Sequence, residues 1–371
     1  MKLQDVVDLE AQLAIDRDRD PEALRARDRA IFSELPPAGS RGGLISAWLA
    51  ALRERDESPA IGPRLARGLR WTERLLLVAG LLAGWATATG LLTFSDGGPP
   101  VNVGNFLLVV VAGQLALLAL FLVGLPVSRA FPSAPLFGDV RGVVRWMATG
   151  LGRLGQRAAA ELPPDQRHRL ERVRGRLRSR ASLYGPVERW TLIGVTQTAA
   201  VAFNLGILAG CFRLIVLSDL AFGWSTTANA VDTDAMVGVV HALSRPWAEL
   251  VPDAVPSREL IEKSRYFRLE ERYADAPPGA RGHAAIVGGW WPFLIAATAT
   301  YGLLPRLLLA LLAAVMRGRA LARVPLDTPE VEQIVRRLQA PRVRTRGASP
   351  SLGGAEPAPS ARAAPARPGA G

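Results

Sequence analysis

The chain has 371 residues, 49% of them hydrophobic and 21% charged, with a formal net charge of +12. That much apolar content excludes a disordered chain, and its concentration in long uncharged blocks argues against a wholly soluble protein. The lone cysteine, Cys211, excludes an intramolecular disulfide framework or a cysteine-based metal cluster. Two lysines stand beside 43 arginines, a ratio that looks like coding bias, so the basic charge is not read as a nucleic-acid footprint.

Residues 1–74 read as a helical cytoplasmic region. In LQDVVDLEAQLAID, Leu3, Val6, Val7 and Leu13 recur at helical spacing with acids on the other face. Asp20-Pro21-Glu22 is a helix start, with an Asp cap, a proline at the first position and an acid near the positive end of the dipole. Leu24, Ile31 and Leu35 continue one face until Pro36-Pro37 stops it, and a third helix around Leu44, Trp48 and Leu52 leads toward the membrane. So small a region buries little surface alone. Leu3, Val6, Val7 and Leu13 are therefore expected to anchor a protein partner by a helix-in-groove contact. No apolar run suited to a cleavable signal peptide occurs in these residues.

A bilayer core of ~30 Å takes about 20 consecutive apolar residues in a helix. Four apolar blocks satisfy this, at 75–95, 103–127, 191–213 and 288–315, with Arg213 closing the third and Arg306 the one charge inside the fourth. The fourth is expected to kink or end near Pro305, because proline removes a backbone donor. Arg306 would then snorkel to the cytoplasmic headgroups, and Leu307 to Met316 would continue as an inner-leaflet or interfacial helix.

Arg64, Arg67, Arg70 and Arg74 crowd the start of the first block. The connection 128–190 holds 13 basic and 5 acidic residues, 214–287 holds 7 and 10, and the segment from Met316 holds 10 and 4. The positive-inside rule then puts both termini in the cytoplasm and 214–287 outside. The expected fold is all-α, a polytopic integral protein of the cell inner membrane with four transmembrane helices and helical cytoplasmic segments.

Residues 128–190 read as a basic helical hairpin broken at Pro163-Pro164, whose second arm (166–180) has seven arginines in fifteen residues and suits anionic headgroups. It lacks the aromatic platform or recognised fold that nucleic-acid binding needs. The external segment carries an amphipathic stretch (Met236, Val240, Leu243, Trp247) and a helix capped by Ser257. Residues 316–340 include a helix opening at Thr328-Pro329-Glu330. From 341 to 371 the chain is Pro, Ala, Gly, Ser and Arg, with nothing to build a core, and is expected to be disordered.

Little in the sequence points to catalysis. Gly150, Gly152 and Gly155 spell G-x-G-x-x-G, but inside a helical pattern and not between a strand and a helix. There is no G-x-x-x-x-G-K-[ST] and no G-x-S-x-G. His168, His241 and His283 do not assemble into a metal set on this topology. No catalytic, cofactor or metal residue is assigned.

Polar groups inside spans are costly, which singles out Gln114, Gln197 and Asn204, with Arg213 and Arg306 nearer the span ends. Interhelical hydrogen bonding is the simplest role for the first three. Gly80/Gly84 and Gly206/Gly210 form two G-x-x-x-G pairs, which let helix backbones approach closely. Packing within one chain is the default, and a homo-oligomer through these glycines is the sharper alternative.

The segments DVVDLEAQLAIDRDRDPEALRARDRAI, ELIEKSRYFRLE and WWPFLIAATATYGLLPRLLLALL resemble a bacterial family of uncharacterised integral membrane proteins, a domain of unknown function. The resemblance extends to about Leu338. Genes of that family typically lie beside one for an Era-like membrane-associated GTPase, which implies a partnership. Three functions follow as expectations: a non-enzymatic inner-membrane anchor or scaffold for a cytoplasmic partner such as that GTPase, a transporter or channel component, or an envelope sensor with an external ligand-binding loop.

Overall fold

The computed structural model describes residues 1–92 except 38 and 59, 100–130, 181–226 except 219, 232–266 and 288–339. Most of the expected basic hairpin, its arginine-rich arm, the G-x-G-x-x-G triplet and the tail 341–371 lie outside the described residues.

Helices α1 (Leu3–Asp16), α2 (Pro21–Phe32) and α3 (Arg41–Glu54) precede α4 (Ile61–Leu91), the first of four helices long and apolar enough to cross a membrane. Strand β1 (Val101–Asn102) leads into the second span, built from α5 (Val103–Phe106), a π-helical turn (Leu107–Gly113) and α6 (Gln114–Ala130). The third span is α7 (Ala181–Leu217), followed by β2 (Phe222–Gly223), α8 (Thr233–Ser244) and α9 (Arg258–Lys263). The fourth combines α10 (Trp291–Ala297), a second π-helical segment (Thr298–Leu303) and α11 (Leu304–Ala322), and α12 (Pro329–Gln339) closes the fold.

Local chemistry sets most helix starts. Asp20 accepts from the Ala23 amide at 3.0 Å with Pro21 at the first position, Asp232 accepts from Ala235 at 2.8 Å, and Ser257 accepts from Leu260 at 3.2 Å. Each satisfies one of the amides that a helix leaves unpaired at its start.

The first and third spans run parallel and touch backbone to backbone. A side chain on Gly80 would come within 2.6 Å of the Ala199 carbonyl, and one on Gly210 within 2.8 Å of the Ala88 methyl. A Cβ on Gly84 or Gly206 would overlap the carbonyls of Phe203 and Leu81 outright. The two G-x-x-x-G pairs thus face each other inside one chain, and the surface they would have offered a second copy is occupied. The fourth span packs antiparallel on the third, with Ala313 beside Gly194 and Gly302 beside Asn204.

The N-terminal helices and α12 meet in one helical bundle. Its core joins Leu9 and Leu13 of α1, Ile31 of α2, Trp48 and Leu52 of α3, and Ile334 and Leu338 of α12. At the other end of the spans, β1 pairs parallel with β2, and Trp224, Trp247, Ile261 and Trp290 form a cap whose core runs into the spans through Ala88, Val110 and Ile207.

The fourth span does not end at Pro305. The proline sits in the first turn of α11, directly after the π-helical segment. The backbone there is already changing its hydrogen-bond register, so the missing N–H is tolerated. Leu307 to Met316 accordingly belong to one helix that continues to Ala322.

The glycine contact yields a paired test. Gly84→Ala places a methyl into the Phe203 carbonyl and should cost about 1–3 kcal/mol, read as a lower unfolding midpoint in detergent. Gly68→Ala, an exposed position on the same helix with nothing within 4 Å, should be neutral or gain up to ~1 kcal/mol. Equal effects at the two positions would contradict the packing.

Candidate functional site

Two constellations collect the polar groups, one inside the spans and one at the bundle end. Within the spans, the Asn204 Nδ2 donates to Gln114 Oε1 at 2.8 Å and to the Ala200 carbonyl at 2.9 Å. An Arg306 Nη donates to the Gln114 main-chain carbonyl at 3.2 Å. Gln114 is eleven residues into the second span, roughly 15 Å along the helix and hence near the middle of a bilayer core. The third, second and fourth spans are therefore joined at mid-depth by side chains 90 and 192 residues apart in sequence.

Arg306 is only 8% exposed and forms no ion pair among the described residues. This corrects the expectation that it snorkels to the headgroups. Its side chain leans toward the start of the helix, as helical side chains do, and that direction leads into the bundle of spans and away from the near membrane surface. The mid-depth of the spans consequently holds a charge, contrary to the charge-free interior that the sequence suggested.

Gly302 makes room for the cluster, since a Cβ there would overlap Asn204 Oδ1. Gln114 Nε2 and Asn204 Oδ1 are buried without a hydrogen-bond partner among the described residues. The two π-helical segments, ending at Gly113 and Leu303, bracket the cluster. Such turns are enriched at functional sites.

The other two singled-out residues stand apart. Gln197 is buried in the third span with Oε1 unpartnered. Arg213 lies over the Trp85 ring at 5.2 Å, a cation–π contact tying the third span to the first toward the ends remote from the helical bundle.

At the bundle end, Leu3, Val6, Val7 and Leu13 are not an exposed edge. Val6, Val7 and Leu13 are buried. Leu3 packs around Val6, Val187 and Val324, and Leu13 joins Trp48 and Leu338. Residues distant in sequence, from α3, α12 and the feet of the third and fourth spans, cover the face that looked unpartnered.

The acids of α1 are buried as well, a feature the sequence pattern hid. Arg27 grips both oxygens of Asp16 at 2.9 Å and Asp28 at 2.7 Å. Arg337 of α12 reaches the same two carboxylates at 3.2 and 3.0 Å, and Trp48 donates to Asp28 at 3.1 Å. Burial is the largest influence on the Asp28 carboxyl and leaves it above the usual carboxylate range despite these partners.

Asp8 performs a separate task. Its carboxylate accepts the Gly62 amide at 2.6 Å and thereby caps the first span, with Arg53 at 3.3 Å. Ala60, just before, has a left-handed φ of 46° that aims this amide at Asp8. Gly62 has no room for a side chain against the Gln4 carbonyl. Burial, first among several influences, raises the Asp8 carboxyl as well.

These features define a multi-pass helical membrane protein in which a bundle, four spans and an opposite cap form one body. The chain belongs to the family described as "Protein of unknown function (DUF2868)", whose model matches residues 151–370, more than half of the chain. No curated protein and no solved structure matches it.

Two outcomes follow. Arg306→Met removes a buried cation that has no carboxylate partner among the described residues and keeps an unbranched apolar stem in its place, so the unfolding midpoint should stay or rise. A large fall would make the guanidinium a structural element. For Asp8, the folded state holds its proton more tightly than the unfolded chain does, so this group's contribution to stability is lost as pH rises above about 4 through the raised value. Asp8→Asn retains the cap and should flatten that dependence, whereas Asp8→Ala should cost about 1–2 kcal/mol. Unfolding midpoints across the acid range check both.

Proposed function

We propose that the protein is a non-enzymatic anchor of the bacterial inner membrane that holds a soluble partner at the cytoplasmic face through its helical bundle. The observation that carries this reading is the bolting of the bundle onto the first span. Asp8 caps α4 while the Tyr184 hydroxyl at the foot of α7 donates to Glu10 at 2.5 Å. A load docked on the bundle would be held against the spans with no flexible linker between. The cytoplasmic assignment is supported by Arg64, Arg67, Arg70 and Arg74, with Arg189, Arg317, Arg319 and Arg323, which gather at the bundle end.

The proposed partner class is the Era-like GTPase implied by the sequence resemblance. Since Leu3, Val6, Val7 and Leu13 are engaged internally, docking must use the outward face of the bundle. There α2 offers exposed Arg25 and Phe32, an aromatic and an arginine of the kind that dominate interface energetics.

A combined Arg25→Glu and Phe32→Glu variant tests this in mild-detergent affinity purification. The partner should be lost while the unfolding midpoint is kept. Val6→Asp or Leu13→Asp would instead disrupt the bundle core and are not diagnostic. Undiminished recovery from the double variant would sink α2 as the docking face, and no cytoplasmic protein copurifying with the unmodified chain would sink the anchor reading.

One observation favours a second reading, a transporter component. Arg306 is the intramembrane charge beside broken helical register that substrate pathways use. Flux of small ions through proteoliposomes, abolished by Arg306→Gln, would favour it over the anchor.

A further inference from the structure

Helix α8 carries three distinct faces. Met236, Val240 and Ser244 are buried against the cap. Asp234 and His241 form an exposed polar stripe, which Arg245 and Glu249 continue in the turns that follow. Between the two lies an exposed apolar stripe of Ala235, Val239 and Ala242. It extends into Leu250, at 82% exposure, and Val251.

The position of this element along the spans gives the stripe a meaning. The Tyr301 hydroxyl donates to the Leu243 carbonyl at 2.9 Å, and the Trp247 ring lies 5.9 Å from Phe293 and 6.0 Å from Tyr301. Tyr301 is ten residues beyond Trp291 in the fourth span, roughly 15 Å along it. The end of α8 and the turn after it therefore sit beside the outer half of a membrane-crossing helix, within the leaflet and not above it. The fourth span itself presents exposed apolar side chains on either side of this depth, at Trp291 and Leu304.

We infer that α8 is an interfacial helix embedded in the leaflet opposite the bundle, with Val239, Leu250 and Val251 among the acyl chains and the Asp234–His241–Arg245–Glu249 stripe at the headgroups. A helix with one face on protein, one in lipid and one in water is the arrangement expected of a segment lying in the membrane plane. The connection between the third and fourth spans is then a membrane-reading element in addition to a soluble loop. This inference does not depend on which partner the bundle holds.

Spin labels on single added cysteines test it in proteoliposomes of phosphatidylethanolamine and phosphatidylglycerol, the native Cys211 being buried. Labels at Val239→Cys and Leu250→Cys should collide severalfold more with oxygen than with a water-soluble nickel chelate, matching a lipid-facing reference at Leu308→Cys. The label at His241→Cys should show the opposite preference. Val251→Cys supplies an independent reading if the Leu250 variant does not fold. Nickel accessibility at 239 and 250 equal to that at 241 would overturn the inference. So would exclusion of both reagents with spin–spin broadening, which would mean that a second copy covers the stripe.

Discussion

Lipid offers helices no hydrophobic reason to associate, so contact between spans has to come from close packing. The parallel approach of the first and third spans through Gly80, Gly84, Gly206 and Gly210 provides that contact, and much of the molecule depends on it. Because the two helices are parallel and in register, their ends remote from the bundle finish side by side. The chain leaving each one then supplies a strand of the β1–β2 pair. Their opposite ends also lie together, so α1 can pack on both at once, through Asp8 to Gly62 and Glu10 to Tyr184. The fourth span lies antiparallel against the third and brings α12 back to the bundle.

The bundle could have been held by hydrophobic contacts alone. Instead, Asp16 and Asp28 sit in its interior between Arg27 and Arg337. Buried ion pairs of this sort add little net stability compared with apolar replacements, but breaking one by removing a single partner is costly. Their effect here is to fix which helices meet. Arg337 finds two carboxylates only when α12 docks on α1 and α2, so the far end of the chain has one defined seat. An apolar α12 would have slid among several.

The sequence revealed the parts whose signals are local. Long uncharged blocks mark the spans because a bilayer imposes their length, and Asp20-Pro21 and Ser257 mark helix starts because capping is decided within four residues. The small-residue spacing in the first and third spans also gave the correct kind of contact. What stayed hidden was set by residues far apart in the chain. The acids of α1 looked solvent-facing because their arginine partners are on α2, α3 and α12. For the same reason Val6 and Leu13 looked like an open edge. Arg306 looked like a snorkelling residue because the next charges along the chain, from Arg317 onward, lie beyond that end of the span, whereas its direction is set by the helix geometry and by Gly302. One clue was available in the sequence: a glycine four residues before an arginine inside an apolar helix, in a chain whose other spans carry the amides Gln114, Gln197 and Asn204.

Arg306 is the point at which stability and function part. A guanidinium at mid-depth loses most of its hydration, and its single hydrogen bond to the Gln114 carbonyl cannot restore a free energy of several kcal/mol. An unpartnered Asn204 oxygen and Gln114 nitrogen add to that cost, as do two segments of π-helix beside them. A span that only had to cross the membrane would gain nothing from any of these, and leucine would serve better at each position. The four features instead lie within one contact of each other, at the depth where the second, third and fourth spans meet. Their cost is offset by the glycine packing next to them, which holds the third span in place whether or not the polar cluster is satisfied. The second span takes no part in the glycine contact and is held by the polar cluster and by the core of the cap, through Phe106 and Val110.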